Sequence, residues 1–133
     1  MTAPSRVIVV LAAIVEGDDG RLLITRRIDG THLAGLWEFP GGKCEPGESH
    51  ESCLARELLE ELGVAAEVGS EVLTTEHTYP DRVIRLHFRY CRITGAPQPL
   101  LGQEIRWVER ADLRSLEFPP ADRELIEVLG RVR

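Results

Sequence analysis

Residues 55–63, ARELLEELG, read as the end of a helix whose charges run the wrong way. Leu54, Leu58 and Leu62 recur at four-residue spacing, flanked by Ala55 and Leu59, which is the apolar stripe of a helix with one buried face. Ser49 reads as the N-cap and Gly63 as the helix-ending glycine, so the helix is expected from about His50 to Leu62. Glu57, Glu60 and Glu61 crowd its last turns, where aligned peptide dipoles already leave negative partial charge. They also repel one another, because residues three and four apart are neighbours on a helix.

The three carboxylates leave the helix on one side, away from the leucines. Read alone, such a face is more often simply solvated. It is also a hard, all-oxygen ligand set of the kind that suits Mg²⁺ or Mn²⁺. A divalent cation turns the mutual repulsion into attraction and keeps the carboxylates ionised.

Outward from this helix, the 133-residue chain is the size of one compact domain, expected over residues 1–133. Hydrophobic residues are 43%, charged residues 29% and the formal net charge is −6, so no broad basic surface offers itself to a nucleic acid polymer or an anionic membrane. An anionic substrate must then be held locally, by a few placed cations or by metal. The N-terminal apolar run, Val7 to Val15, is too short to span a bilayer and lacks the basic start and small-residue end of a signal peptide. Cys44, Cys53 and Cys91 are odd in number, widely spaced and form no CxxC pair, which predicts reduced thiols in a cytoplasmic protein.

Val7–Val15 reads as a buried strand, a hairpin-type turn follows at Asp-Asp-Gly, and Arg21–Thr25 reads as its returning strand. Residues 28–36 lack a period and predict a loop, and LWEFPGGKCEPGE, rich in Pro and Gly, predicts irregular backbone. Further strands are expected near Ala65–Thr75, Arg82–Ile93 and Ile105–Val108. A last amphipathic helix carries Leu125, Ile126 and Leu129. Strands before, between and after two helices suggest a mixed sheet packed between helices, in the α+β or α/β range.

From Gly42 to Val64 the chain reads GKCEPGESHESCLARELLEELGV. Gly42, Glu48, Arg56-Glu57-Leu58, Glu60-Glu61 and Gly63-Val64 fill nine specified positions across 23 residues. That spacing resembles the Nudix box, and the chain resembles the Nudix hydrolases, which cleave nucleoside diphosphates linked to another moiety using Mg²⁺ or Mn²⁺. LLITRRIDGTHLAGLWEFPGGK, YPDRVIRLHF and FPPADRELI resemble the MutT branch, which sanitises nucleotide pools by hydrolysing 8-oxo-dGTP. The resemblance implies a Nudix fold of the α/β/α sandwich kind.

By resemblance, Glu57, Glu60 and Glu61 bind metal together with the backbone carbonyl of Gly41. Glu57 is implied to orient or deprotonate the attacking water. Glu48 is implied to support the cluster through Arg56, whose fixed charge holds carboxylates in place. Arg27 and Lys43 match positions near the phosphates. His32, Phe39, Asp81, Arg82 and Asp122 match positions lining the base pocket. Tyr79, Phe88, Trp37 and Trp107 read as core or turn-packing residues. His50, His77 and His87 have no partner pattern.

Two positions depart from the family pattern. Leu101 stands where MutT-like chains often place a further metal-binding glutamate, which leaves Glu104, three residues on, as its replacement. Asp122 stands where 8-oxo-dGTP-specific enzymes carry asparagine. An ionised Asp only accepts hydrogen bonds and suits an exocyclic amine such as that of cytosine, whereas a protonated one can also donate. The resemblance therefore implies a pyrophosphohydrolase that acts on a nucleoside triphosphate, favouring 8-oxo-dGTP, with CTP, dCTP or 5-methyl-dCTP as the alternative base class. It is expected to act as a monomer or weak dimer. The rival of a different class is a non-catalytic nucleotide-binding regulatory module, against which the complete glutamate set argues. A third, RNA decapping or DNA processing, is disfavoured by small size and the lack of a basic groove.

Overall fold

The computed structural model describes residues 6–26 and 35–131. Two sheets and two α-helices make up these segments. β1 (Arg6–Val15), β4 (Gly41–Lys43), β5 (Ala65–Tyr79) and β6 (Arg82–Thr94) form a mixed sheet in the order β4-β1-β6-β5, and β2 (Leu22–Arg26), β3 (Trp37–Glu38) and β7 (Glu104–Val108) form a smaller antiparallel sheet in the order β3-β2-β7. β1 and β6 pair in parallel over their length, from Arg6 opposite Arg82 to Val15 opposite Cys91.

β1 is apolar on both faces because both are covered. Leu11, Ala13 and Val15 pack with Cys53, Leu54, Leu58 and Leu62 of α1 (His50–Leu62). Ala12 and Ile14 turn the other way, toward Leu125, Ile126 and Leu129 of α2 (Arg123–Arg131). A strand buried on both sides reads as a continuous hydrophobic run rather than an alternation. The result is the expected sheet between helices. Leu54, Leu58 and Leu62 are each fully buried, a burial that stabilises by about 1.5–3 kcal/mol per side chain. Leu59, expected to flank the stripe, is instead 58% exposed, because it sits about 100° of helix rotation past Leu58.

Three local readings change. Asp18, Asp19 and Gly20 do form a turn, with the Gly17 amide donating to the Arg21 carbonyl, but the ladder between β1 and β2 is a single bridge, Glu16 to Leu22, and β2 pairs instead within the smaller sheet. LWEFPGGK, expected to be irregular, supplies the two shortest strands, β3 and β4. β5 continues past Thr75 to Tyr79, and its register with β6 shifts twice between Val68 and Leu73, which hides its alternation in the sequence.

The expectation of three reduced thiols is also corrected. Cys44 and Cys53 are joined by a disulfide, and only Cys91 is free. Eight intervening residues looked too many for a paired motif, but the chain turns back between β4 and α1 and brings the two Cα atoms to 5.3 Å.

Candidate active site

α1 starts and ends as its sequence specifies. The Ser49 side chain accepts from the Ser52 amide at 3.1 Å, and Gly63 closes the helix at φ 68°, a left-handed conformation that costs glycine little. No basic residue occupies the last turn. The exposed carbonyls are met by a loop instead: the amides of Gln98 and Leu100 donate to Leu62 and Glu61 at 2.8 and 3.2 Å, and the Gln103 side-chain amide donates to Glu61 at 3.0 Å. Backbone and amide donors thus satisfy the negative helix end and leave the acidic side chains directed elsewhere.

Arg56 organises those side chains. Its Nε and Nη2 donate to the two oxygens of Glu48 at 2.7 and 2.8 Å, a bidentate fork. Nη1 reaches Glu57 at 3.0 Å and Glu60 at 3.4 Å, and Nη2 also reaches the Lys43 carbonyl at 3.3 Å. The fork holds the Glu48 carboxyl down at about 2, first through the Arg56 side chain and then through the Glu45 amide, while Glu48 and then Glu57 raise the already high Arg56 value. Glu57 is mostly buried while Glu60 is largely exposed. One guanidinium therefore joins the loop, the edge strand and two carboxylates of the helix.

β4 supplies the opposite wall. Gly41 and Gly42 pair with Ala12 and Leu11 of β1. A Cβ on Gly41 would collide with the Leu11 carbonyl and stand 2.8 Å from the Ala12 Cα, so backbone crowding demands glycine there. A Cβ on Gly42 would collide with the Glu57 carboxylate itself. The absence of a side chain at 42 is what lets Glu57 sit beside the strand.

The donor set fits a hard divalent cation. Glu57, Glu60 and Glu61 offer ionisable oxygens on one helix, and β4 brings Gly42 against the Glu57 carboxylate. Among the described residues one trio, Cys44, Glu48 and Cys53, places ligand atoms within 4.8 Å of one another, but its two sulfurs are bonded to each other and Arg56 holds its carboxylate. Glu104 does not take the place left by Leu101. It faces its register partner Arg26, accepting from Nε at 3.1 Å, and lies 3.6 Å from Arg106. Leu101 is 65% exposed.

On the α2 side of the sheet, a cavity of about 320 Å³ runs from Gly42 and Lys43 to Asp122. Val10, Leu86 and Phe88 form its floor and Phe39 its wall, the Phe39 ring meeting Phe88 edge-on at 6.3 Å and stacking on Phe118 at 5.3 Å. Asp122 is 7% exposed. Burial raises its carboxyl to about 7, with the neighbouring charge of Glu38 adding to the effect. Phe39, Lys43 and Asp122 are thus brought together. Asp81 and Arg82 are not: they pair with each other at 3.2 Å at the β5–β6 turn, where Arg82 lies over Tyr79. Arg27 and His32 lie outside the described residues. Leu86 and Glu38 complete the cavity and were missed, while Phe88, expected in the core, is buried there and also borders the cavity; the parallel pairing of Leu86 with Val10 could be seen only once β1 and β6 were known to be neighbours.

Comparison with known proteins settles the family: the NUDIX domain matches residues 10–128. The chain belongs to the Nudix family. It is 36% identical over 124 residues to the 8-oxo-dGTP diphosphatase of Escherichia coli, covering 92% of this chain and 96% of that one. It is 38% identical over 129 residues to the CTP pyrophosphohydrolase of the same organism, covering 96% and 95%. The solution structure of the E. coli ORF135 protein superposes with a TM-score of 0.86 at 37% identity over 97% of this chain and 94% of that one. A MutT structure from work on Aliivibrio salmonicida and Vibrio cholerae superposes at 0.78 and 33% identity, over 95% and 98%. This is a Nudix hydrolase of the MutT type, and Nudix hydrolases act with a divalent metal. No helix of the described residues is long and apolar enough to cross a membrane.

Proposed function

We propose that this hydrolase converts a nucleoside triphosphate into the monophosphate and pyrophosphate, with 8-oxo-dGTP as the favoured substrate and Mg²⁺ or Mn²⁺ as the metal. The observation that carries the reading is the Arg56 fork, which fixes Glu48 and presents Glu57 and Glu60 opposite the Gly41–Gly42 strand. In this reading Glu57, Glu60, Glu61 and the Gly41 carbonyl hold the metal, which neutralises phosphate charge and lowers the pKa of water. Glu57 orients and deprotonates the attacking water. Glu48, through Arg56, keeps Glu57 in place, and Lys43 faces the phosphates from the cavity end, with Arg27 as its partner.

The base lies against Phe39 and Phe88 with its polar edge at Asp122; Asp81 and Arg82, paired with each other at the β5–β6 turn, take no part in this reading. A carboxyl titrating at about 7 is protonated in a large fraction of molecules at neutral pH, so it can both donate to and accept from a purine edge. That favours 8-oxo-dGTP. Its ionised form favours CTP, dCTP or 5-methyl-dCTP, the second reading, which the similarity to a CTP pyrophosphohydrolase supports. We place the protein in the cytoplasm, where these nucleotides are found, as a monomer or weak dimer of one domain. Pyrophosphate release from a nucleotide panel with and without Mg²⁺ tests the proposal. Metal-independent binding without turnover would instead identify a regulatory module.

A further inference from the structure

Residues 44–53 form a covalent ring, closed by the disulfide, with Glu48 near its middle. Within it the Glu45 amide donates to Glu48 Oε1 at 2.9 Å and the Glu48 amide donates to the Glu45 carbonyl at 3.0 Å, so the turn is built around the carboxylate that grips Arg56. One end of the ring is held to β1, where the Cys44 amide donates to the Val9 carbonyl at 2.9 Å, and the other is the first turn of α1. The bond thus staples the strand carrying Gly41–Gly42 to the helix carrying Glu57, Glu60 and Glu61. The two sulfurs differ in access. Cys53 is fully buried, whereas Cys44 is half-buried and borders an open pocket of about 430 Å³ with Glu45, Glu48 and His50.

We propose that the Cys44–Cys53 bond is a reversible redox staple on the metal-binding loop, opened by a dithiol reductant that attacks Cys44. The reductant's thiolate bonds to Cys44 Sγ, the Cys44–Cys53 bond breaks, and its electron pair leaves on Cys53 Sγ, which takes up a proton. The reductant's second thiol then displaces Cys44, which leaves as a thiol, and the reductant closes into its own disulfide. Two electrons and two protons have passed from the dithiol to the protein. Opening the ring leaves the Glu48 turn tied to α1 by the Arg56 fork and the Ser49 cap, so Glu48, Arg56 and Glu57 lose positional precision and metal is bound more weakly. A bond that opens and closes also reconciles a disulfide with a reducing compartment, where such bonds are usually transient or sensory. Cys91 takes no part: it is buried, and burial lifts its thiol to about 11.

This inference rests on the proposed metal site, and its test reads metal binding and thiols separately from hydrolysis. Protein equilibrated in dithiothreitol redox buffers is alkylated and weighed, and its Mg²⁺ affinity is measured from the metal-induced shift in melting temperature. The expected result is the paired appearance of two alkylated cysteines, reversed on reoxidation, with a half-saturating Mg²⁺ concentration raised about tenfold, the lower end of the range for losing a supporting contact. Melting without metal should fall by on the order of 10 °C. Cys91→Ser should keep the response, and Cys44→Ser with Cys53→Ala should match the reduced protein and ignore dithiothreitol. Native protein whose bond resists the dithiol, or oxidised and reduced forms with equal Mg²⁺ affinity, would overturn the proposal. A redox-dependent Mg²⁺ affinity without nucleotide hydrolysis would sustain it while sinking the proposed activity.

Discussion

The Glu57 carboxylate fills the space that a side chain on Gly42 would need. Gly42→Ala should therefore act on the carboxylate rather than on the fold, since the far end of Glu57 can swing away while the strand stays. Pyrophosphate release should fall at least about tenfold, because a small misplacement of a catalytic group is costly, with the circular dichroism spectrum unchanged. An alanine variant of wild-type activity would show that Glu57 is free to sit elsewhere and still work.

Glu57→Gln removes charge and proton-accepting power at nearly constant shape. The expected loss in kcat is on the order of 10²-fold or more. In chelator the variant should melt no higher than wild type, because the charge it removes is paired with Arg56 at 3.0 Å. Activity within threefold of wild type would remove Glu57 from its proposed role.

Glu48 is set apart from Glu57 by its fork to Arg56. Glu48→Gln should raise the half-saturating Mg²⁺ concentration about tenfold, the scale expected for a supporting contact, while kcat at saturating metal falls less. The Glu48 carboxyl is held at about 2, below its ordinary 4.5, so the stability it contributes is complete above pH 4.5 and disappears as pH falls toward 2. The melting difference between wild type and variant should shrink over that interval. A kcat collapse with unchanged metal affinity would make Glu48 the base instead.

Helix α1 was legible in the sequence because every signal for it is local: a cap at Ser49, leucines at four-residue spacing and Gly63 at the end. The carboxylate positions were legible for the same reason. What was hidden depended on long-range pairing. The parallel match of Val10 with Leu86 builds the cavity floor, yet 75 residues of chain separate them. The disulfide was hidden because no spacing rule says that a turn between β4 and α1 brings Cys44 to Cys53. Glu104 looked available in sequence because its antiparallel partner, Arg26, belongs to a strand that seemed to pair with β1.

With the base edge at Asp122, as proposed, the base preference should depend on pH. Its carboxyl is raised from 3.8 to about 7, mainly by burial. The folded state thus binds the proton more tightly than the unfolded chain, so the stability from this group is complete below about pH 4 and is lost as pH rises to about 7. Asp122→Asn should lack that loss and melt higher than wild type at pH 8. The catalytic consequence runs in parallel. The ratio of kcat/KM for 8-oxo-dGTP to that for dCTP should fall in wild type as pH passes about 7, because the carboxylate then only accepts. Asparagine offers donor and acceptor at every pH, so the variant's ratio should be flat and shifted toward 8-oxo-dGTP. One mismatched polar contact in a buried site costs about 1–3 kcal/mol, which sets the shift at roughly 5- to 150-fold. Measuring 8-oxo-dGTP, dGTP, dCTP and 5-methyl-dCTP from pH 5.5 to 9 with both proteins decides the matter. Ratios that neither move with pH nor respond to the substitution would place the base edge away from Asp122.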